Sequence, residues 1–210
     1  MRESSPPIAT RSYHGGPRLV QPPRLTGPLH HIQGGSPLVI CDVENLSLGA
    51  WELGFFISYG SLAGQFKAVT RRCGLHAFFW QKRNENHRVS HFESCGWIAH
   101  GQAVETVRSC RGEYTRANSD NTILFCTGVL ATLPVFDTII IGSGDGDLVC
   151  DLARLLSEFN IKRRIFTLSL AGSTSSRLNA ERNPHIHANL EIGMDCLHAS
   201  SLDTEQGMEG

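Results

Sequence analysis

An α/β fold with a mainly parallel sheet covered on both faces is predicted by three features of this 210-residue chain. Short β-rich runs alternate with helical patterns between residues 37 and 196, the order that builds right-handed βαβ units. Leu148, Leu152, Leu155, Leu156 and Phe159 recur at the spacing of one helical face. The span from 37 to 196 is also long enough for one core that buries roughly 70% of its unfolded surface.

The elements follow in order. PLVICD (37–42) reads as a strand. LGAWELGFFISYGSLAGQFKAVT (48–70) reads as one helix, weakened by Gly54, Gly60 and Gly64. LHAFFWQK (75–82) is a strand, RVSHFESCGWIAH (88–100) a helix and AVETVRSC (103–110) a strand. NTILFCTGVLATL (121–133) reads as a helix and DTIIIGS (137–143) as a strand. DLVCDLARLLSEFN (147–160) is the amphipathic helix. RRIFTLSL (163–170) is a further strand, STSSRLNAER (173–182) a short helix, and HIHANLEI (185–192) a strand that closes the sheet. No internal repeat is present.

Residues 1–36 read as a disordered arm, because Pro6, Pro7, Pro17, Pro22, Pro23 and Pro28 preclude a regular helix or an interior strand. The arm holds four arginines against Glu3, a net of +3. The polar stretch from 197 to 210 reads as a flexible tail. The whole chain has 19 Lys+Arg against 20 Asp+Glu, a net charge of −1, so any nucleic-acid affinity has to come from a local basic patch. The longest apolar run contains Pro134 and stops at Asp137, too short for a membrane span. Seven widely spaced cysteines with no C-x-x-C pair argue against a secreted disulfide framework and for a reduced, intracellular and cytoplasmic setting.

Four aspartates fall at element ends: Asp42 after the first strand, Asp120 at the start of the 121–133 helix, and Asp145 and Asp147 in the turn IIIGSGDGDL. A helix over 121–133 runs about 20 Å away from Asp120, and a strand over 137–143 returns about 23 Å. Asp120 is therefore expected near Asp145. A first strand parallel to DTIIIGS brings Asp42 to the same carboxyl edge, where open α/β sheets bind ligands. Such a set of carboxylates repels itself unless a cation intervenes. Oxygen donors without His or Cys suit Mg²⁺ or Mn²⁺, ions that activate water for phosphoryl displacement. Asn45 could orient a water or a phosphate beside Asp42. The glycines of the turn, Gly142, Gly144 and Gly146, let a phosphate approach the backbone. Asp120, Asp145 and Asp147 would each also serve as ordinary helix-capping residues, and Glu44 is assigned to solvent.

D-V-E-N at 42–45, then Asp120, then S-G-D-G-D at 143–147 before an amphipathic helix, resemble the NYN domains of the PIN-like nuclease superfamily. S-T-S-S-R-L at 173–178 fits the same pattern, and the resemblance spans 38 to about 196. It implies a Rossmann-like three-layer α/β/α sandwich and a Mg²⁺- or Mn²⁺-dependent endoribonuclease. Asp42, Asp120, Asp145 and Asp147 would be the metal-binding acids and, with Asn45, the catalytic set. RNA is the implied partner, with Arg116, Ser143, Gly144, Ser175 and Arg177 as candidate contacts. Self-association and a protein partner stay open. The alternative is a catalytically weak or inactive NYN-like module that binds RNA or a protein. Thr127 stands where many relatives carry an acid, and Asn183 where an Asp is expected.

Other signals are weaker. G-S-G-D-G-D is not a dinucleotide loop, since Asp147 occupies the third glycine position and would repel a pyrophosphate. His87, His91 and Cys95 would share a helix face but lack a fourth ligand for zinc. Phe78, Phe79, Trp80 and Trp97 read as core, with Trp97 a base-stacking candidate if exposed.

Overall fold

The run PLVICD forms a strand that is buried along its whole length, as a central strand of a parallel sheet must be. The computed structural model describes residues 27, 29–82, 86–109, 112–116, 119–173, 175–179 and 183–199, with backbone alone at 105–109 and 112–116. In chain order the elements are β1 (Pro37–Asp42), α1 (Val43–Glu52), β2 (Phe55–Ile57), α2 (Tyr59–Val69), β3 (Gly74–Gln81), α3 (His87–Ser94), β4 (Ile98–Ala103), β5 (Glu105–Ser109) and β6 (Gly112–Arg116). There follow α4 (Ser119–Ala131), β7 (Thr138–Gly142), α5 (Gly146–Glu158), β8 (Arg164–Ser169), β9 (Ala188–Glu191) and β10 (Leu197–Ala199). None of the described helices is long and apolar enough to cross a membrane.

Six strands make one sheet in the order β4-β3-β1-β7-β8-β9, and every pair in it is parallel. Alternate residues of β1 enter opposite cores, as a period of two requires. Val39 and Cys41 join α1, α2 and α3 on one face. Leu38 and Ile40 pack with Ile123 of α4 and Leu148 of α5 on the other, and the rest of α5 seals β7 and β8. The result is the expected three-layer, Rossmann-like α/β sandwich. From β1 the chain winds first to β3 and β4, then returns past β1 to β7, β8 and β9. The winding reverses between β1 and β7, and the crevice at the carboxyl end of that reversal is where such sheets take ligands.

Several expected elements differ. The single helix over 48–70 is two helices separated by β2. Gly54 takes φ +80° just after α1, a left-handed turn that releases the helix, and Ser58 caps α2 through Ser61 N. β2 is held by antiparallel pairing with β10, a partner some 140 positions away that no local pattern reveals. The helix over 88–100 stops at Ser94, followed by Gly96 at φ +85°, and Ile98 opens β4. The expected strand 103–110 is β5, paired antiparallel with the unanticipated β6. The helix over 173–182 shrinks to a 3-10 turn at Ser176–Leu178.

The unit also extends past both expected boundaries. A 3-10 turn at Leu29–His31 precedes Ile32, which is 1% exposed in the core, so residues 29–36 belong to the folded unit and not to the expected arm. At the other end Leu197–Ala199, expected in the tail, is β10. Residues 1–26, 28 and 200–210 lie outside the described residues.

Candidate functional site

Asp42 ends β1 and caps α1: its Oδ1 accepts from Asn45 N at 3.3 Å. It is only 6% exposed. Burial pushes its carboxyl up to about 6, against the backbone bond from Asn45 and with the charge of Asp120 adding to the rise. Asp120 stands in the first turn of α4, so the two carboxylates share one field at the carboxyl edge, as expected. Ser143, just past β7 and fully buried, donates from Oγ to Asp42 Oδ2 at 3.3 Å and accepts from Asp145 N at 3.1 Å. One hydroxyl thus ties the ends of β1 and β7 together.

Asp145 caps α5, its Oδ1 accepting from Asp147 N at 2.8 Å and Leu148 N at 3.4 Å. Asp147 points outward and is bound by Arg177. Asn45 does not face the crevice with a vacant amide oxygen: Oδ1 accepts from Gly144 N at 2.7 Å, clasping the β7–α5 loop to α1. A Cβ on Gly144 would lie 2.8 Å from that oxygen, so glycine is needed for the clasp. Gly146 is needed for a second approach, since a Cβ there would lie 2.7 Å from Ser175 Oγ. Ser175 and Arg177 therefore pack on the start of α5, and Ser175 caps its own 3-10 turn through Arg177 N. Beside the clasp lies a cleft of about 280 Å³ lined by Asn45, Gly49, Glu52, Gly144 and Ser173. Arg116 ends β6.

The four acids thus reach one edge in different settings: Asp42 is buried and caps α1, Asp145 is half-buried and caps α5, and Asp120 and Asp147 are exposed. Among the described residues, no three His, Cys, Asp or Glu side chains come together as a metal-holding group. The oxygen donors of Asp42 and Asp120 suit a hard divalent ion, which would offset the charge of Asp120 that adds to the rise of Asp42. Asp145 Oδ2, which takes no part in the cap, is a further acidic oxygen on that edge.

Glu44 is not a solvent residue. Its Oε1 accepts from Trp80 N at 3.0 Å and pairs with Arg88 Nη1 at 2.9 Å, fastening α1 to β3 and α3. Its partners are 36 and 44 positions away, so no local signal announced it. Thr127, at the position where the resemblance leads one to expect an acid, is fully buried with its hydroxyl unpartnered; an ionised carboxyl there would be costly. Asn183 ties the 177–185 segment together, donating to Arg177 O at 3.4 Å and accepting from His185 N at 3.0 Å. Trp97 is core as read, 2% exposed with Nε1 donating to Tyr59 O at 2.9 Å.

No family model matches the chain, and no curated protein does. A crystal structure of a protein of unknown function from Vibrio parahaemolyticus is similar, with a TM-score of 0.60 and 18% identity. The similarity covers 79% of this chain and 98% of that one. It is a likeness of fold. The relative spans nearly its full length on this sheet, which supports the α/β architecture and carries no activity with it.

Proposed function

We propose that the crevice between β1 and β7 is the site of a Mg²⁺- or Mn²⁺-dependent ribonuclease of the NYN, PIN-like kind. The supporting observation is Asp42, a carboxylate 6% exposed and raised to about 6 beside Asp120. Asp42 is buried with its carboxyl raised while it feels the charge of the exposed Asp120 at the ligand edge, and perturbed groups of this sort gather at functional sites. Asp42 and Asp120 would hold the ion, with Asp145 contributing charge across Ser143. When bound, such an ion supplies an activated water and steadies the oxygens of an in-line phosphodiester displacement. The chain's own residues do the positioning. Ser143 orients Asp42, and Asn45 keeps the β7–α5 loop seated through Gly144. Arg177 presents a cation at the rim, where it meets Asp147.

The test is cleavage of a labelled single-stranded RNA with Mn²⁺, Mg²⁺ or EDTA, beside Asp42→Asn and Asp145→Asn purified identically. Asn preserves both helix caps while removing the charge. Metal-dependent cleavage lost in both variants is expected; equal cleavage by all three preparations would point to a contaminant and end the proposal.

A second reading is favoured by one observation: three of the acids are already engaged, Asp42 and Asp145 as helix caps and Asp147 with Arg177. On this reading the domain binds RNA or a protein without turnover. It expects binding that survives Asp145→Asn and no cleavage in either metal.

A further inference from the structure

β3 outruns β1 at the carboxyl edge. Asp42 pairs in register with Phe78, and paired residues of a parallel sheet project to the same face. Trp80, two residues on, therefore leaves from the face that carries Asp42 and α4. Its neighbour on β4 is Gln102, whose amide bonds Thr122 Oγ1 in the turn that Asp120 opens. The indole thus stands over the edge next to the acid pair.

Trp80, expected in the core, lies outside it. It is half-buried, and no hydrogen bond to its indole N–H is seen among the described residues, whereas Trp97 in the core has that bond satisfied. Two cations attend the ring. The Arg88 guanidinium lies over the ring, 5.2 Å from its centroid, and also over Phe79 at 4.9 Å, while the Lys82 ammonium lies over the Trp80 ring at 5.9 Å. Arg88 is locked in place by Trp80 O at 2.7 Å and by Glu44, while Lys82 is exposed at the end of the strand.

We propose that Trp80, Lys82 and Arg88 form a stacking platform for an unpaired base of single-stranded RNA, placed so that the backbone beside that base runs into the Asp42–Asp120 crevice; this rests on the ribonuclease reading above. The acid pair alone would repel a polyanion. Cations beside an aromatic ring supply what it lacks, a face on which any base stacks and charge for the adjoining phosphate. Bases within a duplex are already stacked and cannot reach the ring. The platform therefore selects single strands with little sequence preference. Glu44 is a positioning residue here, holding Arg88 through its carboxylate.

Fluorescence anisotropy of a short labelled oligoadenylate in EDTA reads binding without cleavage. Trp80→Ala is expected to weaken it by about 10- to 100-fold, Trp80→Phe to restore most of the loss, and unlabelled duplex RNA to compete poorly. An oligomer of the same backbone without bases guards against misfolding of Trp80→Ala, and wild-type protein should bind it about 10-fold or more weakly. Equal affinity of wild type for the oligomers with and without bases, unchanged binding by Trp80→Ala, or competition by duplex as strong as by single strand would overturn the platform. The two readings fail separately. Trp80-dependent binding with no metal-dependent cleavage removes the ribonuclease and keeps the platform. Asp42-dependent cleavage with an unchanged KM in Trp80→Ala removes the platform alone.

Discussion

Asp42 and Asp145 end neighbouring parallel strands at the same edge, and both cap the helix that follows. Their backbones nearly coincide, at φ −78°, ψ 96° and φ −77°, ψ 107°. Locally they are the same residue twice, yet one is sealed under the sheet edge beside Asp120 while the other sits half-buried on a well-made cap. The cap is a property of three or four consecutive residues. The ionisation of Asp42 is a property of what the fold brings over it: α4 with Asp120, and Ser143 from 101 positions away. An acid that only caps could be any of several small polar residues. A buried acid that faces a second acid costs the fold stability when ionised, a cost that capping alone does not require.

The contrast can be broken most severely through activity. Asp42→Asn should lower Mn²⁺-dependent RNA cleavage by at least about 100-fold, as read from initial rates at saturating metal. A variant as active as wild type would reduce Asp42 to the same standing as an ordinary cap.

Stability tests the same residue with the opposite sign. An acid raised to about 6 when folded, from its usual value near 4 when unfolded, holds a proton in the native state that the unfolded chain has lost between those values. Wild-type stability should therefore increase as pH falls from about 6 toward 4, and Asp42→Asn should be more stable than wild type by about 2 kcal/mol at pH 7.5. Urea unfolding at pH 7.5 and pH 4.5 checks it: the advantage of the variant should shrink sharply at the lower pH. An advantage of the same size at both would show that the charge is not what strains the site. Mn²⁺ should also raise the melting temperature of wild type at pH 7.5 and leave that of Asp42→Asn nearly unmoved.

For the capping half, the expected changes are smaller. Asp145→Ala should cost about 1 kcal/mol through the lost bonds to Asp147 N and Leu148 N, with Asp145→Asn close to neutral. Thermal melts of the two side by side would reveal any larger role, because an Asn that costs as much as Ala would mean the carboxylate matters beyond its cap. Smallest of all is Asp147→Ala. Its pair with Arg177 is solvent-exposed, with side chains 76% and 64% accessible, so the loss should stay below about 1 kcal/mol and fade in high salt.

What was legible before the structure follows the range of each interaction. β1, β7 and α5 were read nearly to the residue, because a buried parallel strand is apolar throughout and an amphipathic helix repeats every three to four positions. Gly54 was noticed only as a weak point in a long helix, although it separates two helices, since the strand that fills the gap exists only by pairing with Leu197–Ala199. The four acids were assigned to one edge from element lengths alone, and that edge is where they lie. That Asp42 is buried while Asp120 and Asp147 stay exposed is not legible in the sequence, and neither is the role of Glu44. Trp80 and Trp97 look alike in sequence, each next to apolar neighbours; only the outrun of β3 past β1 leaves the first half-exposed and the second sealed.

By itself, then, the order of residues determined the alternation of strands and helices, the parallel sheet and the ends at which Asp42, Asp120, Asp145 and Asp147 emerge. Those depend on hydrophobic period and on rise per residue, both set within a dozen positions. The tertiary structure alone decided which acid is buried, that Glu44 anchors Arg88, that Asn45 clasps Gly144 and that Trp80 faces the edge. Each of these is a contact between segments 36 to 101 positions apart, or the desolvation such contacts impose. A carboxylate's charge state depends on the matter surrounding it, and that matter is assembled only when the chain folds.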